Sequence, residues 1–70
     1  MSKELPFIVL CIEEYKNRKG LAGNEVVQLF NKYAVFDYLR SFYESLHTMG
    51  MNYVIDDIDQ YIESKQTEKA

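Results

Sequence analysis

The chain has 70 residues, 47% of them hydrophobic and 27% charged, with eleven acidic side chains against eight basic ones and a net charge of −3. This composition excludes a disordered chain, the length allows one small domain, and the acidic balance speaks against a surface built to track phosphates. The single cysteine excludes an internal disulfide, and the longest apolar run, "LPFIVLCI", falls far short of the roughly 20 residues that span a bilayer.

The turn signals cut the chain into four pieces. They predict one all-α domain over 1–70, a compact bundle of four short helices at approximately 4–19, 24–33, 35–49 and 53–65. The polar ends, 1–3 and 66–70, are expected to fray. In the first piece Pro6 suits a first helical turn and Gly20 suits the left-handed position after the last. Leu5, Ile8, Cys11, Ile12 and Tyr15 share a broad face there, although the β-branched content of "FIVLCI" also fits a buried strand. The basic run "KNRKG" places Lys16, Arg18 and Lys19 in the last turn, where cations complement the negative end of the helix.

Val26, Leu29, Phe30 and Tyr33 make an amphipathic stripe in the second piece, with Asn24 or Gly23 as its cap and Glu25 in the first turn. The short connection "YAVF" then forces a sharp turn into the third piece. Val35, Leu39, Phe42, Leu46 and Met49 define that helix's buried line, and Gly50 ends it. Arg40 lies within reach of Asp37 and Glu44. The fourth piece keeps helical spacing through Val54, Ile58, Tyr61 and Ile62. Its acids Asp56, Asp57 and Asp59 also suit a helix that begins near Asp56, with "NYVI" extended before it.

No constellation of residues carries recognisable chemistry. His47 is the only histidine and lacks a companion ligand, so neither a general base nor a metal site is expected, and the reading is a rim residue at a helix end. The three neighbouring aspartates lack the glycine and distal acid of a calcium loop. Cys11 lies among core positions and reads as an inert thiol. No Gly-rich phosphate loop is present. The expectation is a protein that is not an enzyme and uses no cofactor and no metal.

Helix-turn-helix geometry is the alternative, a nucleic-acid-binding regulator. Its recognition helix would show DNA one arginine between acids, which makes nucleic acid a poor partner. Six Tyr and four Phe, however, exceed what the centre of so short a bundle holds. Phe36, Tyr38, Tyr43, His47 and Tyr53 are therefore candidate interface residues, on the third helix's rim and the fourth's start. The bland alternative is that such rings simply line the edge of a small core. The expected function is a non-catalytic protein–protein interaction or accessory module. Its partner would be another protein, a second copy in a homodimer included, in a reducing cytoplasm and not at a membrane.

From Phe7 to Ser64 the chain resembles a family of small bacterial proteins known only as a domain of unknown function. The segments that carry the likeness are "GLAGNEVVQLF", "VFDYLRSFYESLHTMG" and "YVIDDIDQYI", and the combination of Leu46–His47–Thr48 with Gly50 and the later Asp56–Asp57–Ile58 is distinctive. The resemblance implies a stand-alone helical protein and brings no functional residue with it. This sequence departs from the family pattern at Ala22, where a serine is usual and would complete a capping box with Glu25.

Overall fold

Gly20 sets the first boundary of the structure, a computed structural model that describes residues 2–68. At φ +67° and ψ +37° it takes the left-handed conformation that closes helix α1, Glu4–Lys19. The Leu21 amide then donates back to the Lys16 carbonyl at 3.1 Å. The strand alternative for "FIVLCI" is replaced by this helix. Four more follow: α2, Gly23–Lys32; α3, Val35–Ser41; α4, Tyr43–Leu46; and α5, Met51–Glu68. The described residues are thus all-helical, with five helices where four were expected. None of these helices is long and apolar enough to cross a membrane. Expectations for Met1, Lys69 and Ala70 lie outside the described residues.

The core is one contiguous cluster. Ile8, Cys11 and Tyr15 enter it from α1, Val26 and Phe30 from α2, Val35 and Leu39 from α3, and Leu46 from α4. The largest share comes from α5, through Val54, Ile55, Ile58 and Ile62. α1 packs on both α2 and α5, and α3 bridges the same two. The stripe on α1 is narrower than its composition suggests. Leu5 lies well round the helix from the Cys11–Tyr15 line, at about 100° per residue, and stays 43% exposed.

The third predicted helix is two. At Phe42 the backbone leaves helical geometry (φ −109°, ψ +20°), which separates α3 from α4. The hydrogen-bond loss is small, because the Phe42 carbonyl still accepts from the Ser45 and Leu46 amides at 3.1 and 2.9 Å. The turn keeps Leu39 and Leu46 in the core and throws Phe42 and Met49 out of it, 52% and 46% exposed. It also lays α4 against the start of α1, where Phe7 meets the Tyr43 ring edge-on at 5.5 Å.

Two junctions differ in detail from expectation. The N-cap of α2 is Ala22, not Asn24 or Gly23, and no side chain caps the helix there. Glu25 supplies half of a capping box, its Oε1 accepting from the Ala22 amide at 2.8 Å. The turn into α3 rests on Ala34, the one described non-glycine residue at positive φ (+57°). α5 begins two residues before the predicted start and continues past Lys65, the predicted end. Asp56, Asp57 and Asp59 are consequently mid-helix acids and do not serve its N-terminus.

The missing half of the capping box gives a direct prediction. Ala22→Ser restores an acceptor for the amide of Glu25 and should stabilise the fold by about 1 kcal/mol, the usual worth of such a cap. Urea unfolding measures this, and an unchanged midpoint would mean that the first turn of α2 frays in the native state.

Candidate functional site

The polar chemistry of the chain gathers along α5. Its aspartates reach out on two sides and hold the neighbouring helices. Toward α1, Asp56 accepts from the Arg18 guanidinium, which also donates to Asn52 Oδ1 at 3.0 Å. Asp59 takes the Tyr15 hydroxyl at 2.9 Å on one oxygen and the Lys19 ammonium at 2.8 Å on the other. Toward α3, Asp57 accepts from the Tyr38 hydroxyl. The basic end of α1 therefore does more than complement a helix terminus. Arg18 and Lys19 are its fasteners to α5.

Burial raises the ionisation of both phenols above the ordinary tyrosine value, and the adjoining carboxylates raise it further. Burial alone pushes the Cys11 thiol up to about 12. That thiol is fully enclosed in the core, which is the environment of an unreactive cysteine.

A second layer is aromatic. Tyr38 stacks on Tyr61 with centroids 4.1 Å apart and planes 19° from parallel, and Phe42 leans on Tyr38 at 5.1 Å. Tyr43 is stacked by His47 at 4.4 Å and 8°, with Lys3 over its ring and paired to Glu44 at 2.6 Å. Lys3 hydrogen-bonds Glu44 and thereby holds that carboxyl below its usual value.

His47 is exposed, and its Nδ1 lies 2.8 Å from the Tyr43 carbonyl. A carbonyl only accepts, so that nitrogen carries the hydrogen. No carboxylate orients the ring among the described residues, the feature a general base needs. Thr48 repeats the pattern one residue on, donating to the Ser45 carbonyl at 3.0 Å. The distinctive Leu46–His47–Thr48 segment is therefore a helix stop. Leu46 anchors it in the core, and the next two side chains satisfy the last carbonyls of α4.

The five candidate interface residues sort by exposure. Phe36 is half-buried and edge-on to Phe30 at 5.6 Å, Tyr38 and Tyr43 are half-buried in the stacks above, and His47 is exposed beside Tyr43. Tyr53 stands 55% exposed near the start of α5. Sequence reasoning missed Phe42 and Met49, because it carried a straight helix through the break that exposes them.

Two open depressions on the described surface are lined partly by these rings. One, of about 240 Å³, lies between α2 and α3, with Phe30 and Phe36 lining it beside Asn31, Asp37 and Arg40. The other, of about 180 Å³, lies on α5 and is lined by Tyr53, Asp56, Asp57 and Gln60. No group of three or more metal-ligating side chains converges among the described residues.

The two fastened phenols dictate an alkaline limb of stability. Their folded-state pKa values lie above the ordinary value of 10, so the fold favours the neutral forms. The stability this confers is fully present below pH 10 and is lost as the pH rises above it. Phenolate absorbance should show two tyrosines that ionise late, with the opening of the fold. Tyr38→Phe and Tyr15→Phe should each remove one of them, whereas an unchanged titration in either variant would contradict the assigned hydrogen bonds.

No curated protein and no solved structure matches the chain. A family model described as a protein of unknown function (DUF3791) matches residues 6–65, covering every helix but the ends of α1 and α5. On that match the chain belongs to the DUF3791 family.

Proposed function

We propose that this chain is a non-catalytic protein-interaction module whose contact surface is the corner running from Phe42 to Tyr53. The observation that carries the reading is the placement of Phe42, Met49 and Tyr53, three large apolar side chains each about half exposed within one short segment. Phe42 leans on half-buried Tyr38, which is itself stacked on half-buried Tyr61. Rings held in this way cover partner surface with little loss of rotamer freedom on binding. A second copy of the chain is one partner this surface admits. The buried thiol suits the reducing cytoplasm proposed as its setting.

What supports a non-catalytic role is the employment of the reactive groups. His47 terminates a helix, Cys11 fills the core, and the aspartates of α5 fasten helices. The competing reading takes α2, the two-residue turn and α3 as a helix-turn-helix. α3 has only seven residues, and its one arginine is paired with Asp37 at 3.2 Å. Such a helix offers DNA little positive charge.

Photo-crosslinking in the native cell tests the proposal. A photoreactive phenylalanine at position 42 or 53 should give a discrete adduct, either of doubled mass or with one other protein. The same group at position 14, on the charged outer side of α1, should give none. Absence of any adduct from 42 and 53, together with salt-sensitive retention of DNA in a gel-shift titration, would overturn the proposal in favour of the nucleic-acid reading.

A further inference from the structure

The proposed contact surface has a distinctive charge, and the chain's own cations account for it. Among the described residues, Lys3, Lys16, Arg18, Lys19, Arg40 and Lys65 each pair with a carboxylate. Lys32 lies over the Tyr33 ring. Asp56 is answered by Arg18 and Asp59 by Lys19. Asp57 differs from both. Its hydrogen-bond donor is the neutral Tyr38 phenol, and it forms no ion pair with a cation among the described residues. It is half-buried, with Tyr53 one turn before it and Gln60 nearly one turn after. These residues line the depression on α5.

We propose, resting on the interaction-module reading, that this depression receives an arginine side chain from a basic segment of the partner. A guanidinium lying over the Tyr53 ring gains the attraction of a cation for an aromatic face. Its planar fork can donate at the same time to the Asp57 carboxylate and to the Gln60 side-chain carbonyl, a pairing that an ammonium reproduces less well. The phenol of Tyr38 holds Asp57 in place from the other side and leaves its second oxygen for the incoming donor. The chain's net charge of −3 favours the approach of such a segment over longer range. The carboxylate supplies the charge, and the exposed ring distinguishes arginine from a diffuse cation.

An amide-resolved NMR titration of the full chain tests this. The probes are a short Gly/Ser peptide bearing arginines and the same peptide with citrulline, which keeps the shape and removes the charge. The arginine peptide should shift amides between Tyr53 and Gln60, and the citrulline peptide should not. Tyr53→Leu should weaken binding about three- to fivefold. Asp57→Asn, which preserves an acceptor for Tyr38, should weaken it at least as much. Equal binding of both peptides, unchanged affinity in Tyr53→Leu, or shifts spread evenly over Glu13, Glu14 and Glu63 would overturn the proposal. Should the arginine peptide fail while crosslinks at position 53 still form, the arginine site falls and the interaction module stands. Failure of both removes the module as well.

Discussion

Ten aromatic rings in 70 residues are more than one small core can enclose, and this constraint shapes most of the molecule. Only Tyr15, Phe30 and Tyr33 are buried. Phe7, Phe36, Tyr38 and Tyr61 pack half-buried against the core, Tyr43 is half-buried beside Phe7 and His47, and Phe42 and Tyr53 face solvent. The half-buried rings solve their exposure by stacking on one another and on His47, and by turning polar edges toward acids. What is left over is Phe42 and Tyr53, which flank α4 and the turn into α5. The same shortage of interior that weakens a small domain thus leaves this one with exposed rings, which the proposed interaction role would use.

α5 holds the arrangement in register. Its apolar side fills the core with Val54, Ile55, Ile58 and Ile62, and its aspartates extend along both flanks. A phenol that donates to a carboxylate makes a stronger and more directional bond than one that donates to water. Tyr15–Asp59 and Tyr38–Asp57 each fix the position of a neighbouring helix while the rings themselves lie against the core. The exposed ion pairs around them add little energy singly and chiefly set orientation. Under the proposed arginine site Asp57 connects stability to recognition, because it takes part in one of these bonds and also lines the open depression.

Much of the fold was legible in the sequence where local chemistry speaks alone. Gly20 announced the end of α1, and the spacing of Val26 and Phe30 announced the buried face of α2. The break at Phe42 was not legible, since neither proline nor glycine marks it. It accompanies contacts between α4 and the distant start of the chain, Phe7–Tyr43 and Lys3–Glu44, which local sequence does not reveal. The early start of α5 was hidden for a related reason. Three aspartates close together read as a helix N-terminus, yet their partners are Arg18, Tyr38, Tyr15 and Lys19, which only the folded chain brings to them. The exposure of Tyr53 accords with its place near a helix start, whereas a straight helix would turn Phe42 and Met49 inward, and both are exposed.

The central claim is that the rings at the Phe42–Tyr53 corner are held outward for contact and contribute little to folding. The most direct measurement is the unfolding free energy of the double variant Phe42→Ser, Tyr53→Ser. Removal of two half-exposed side chains, of which Phe42 leans on Tyr38, should change it by less than about 1.5 kcal/mol. A loss of about 3 kcal/mol or more, the size expected for truncating buried aromatic rings, would contradict the account and return both residues to the core.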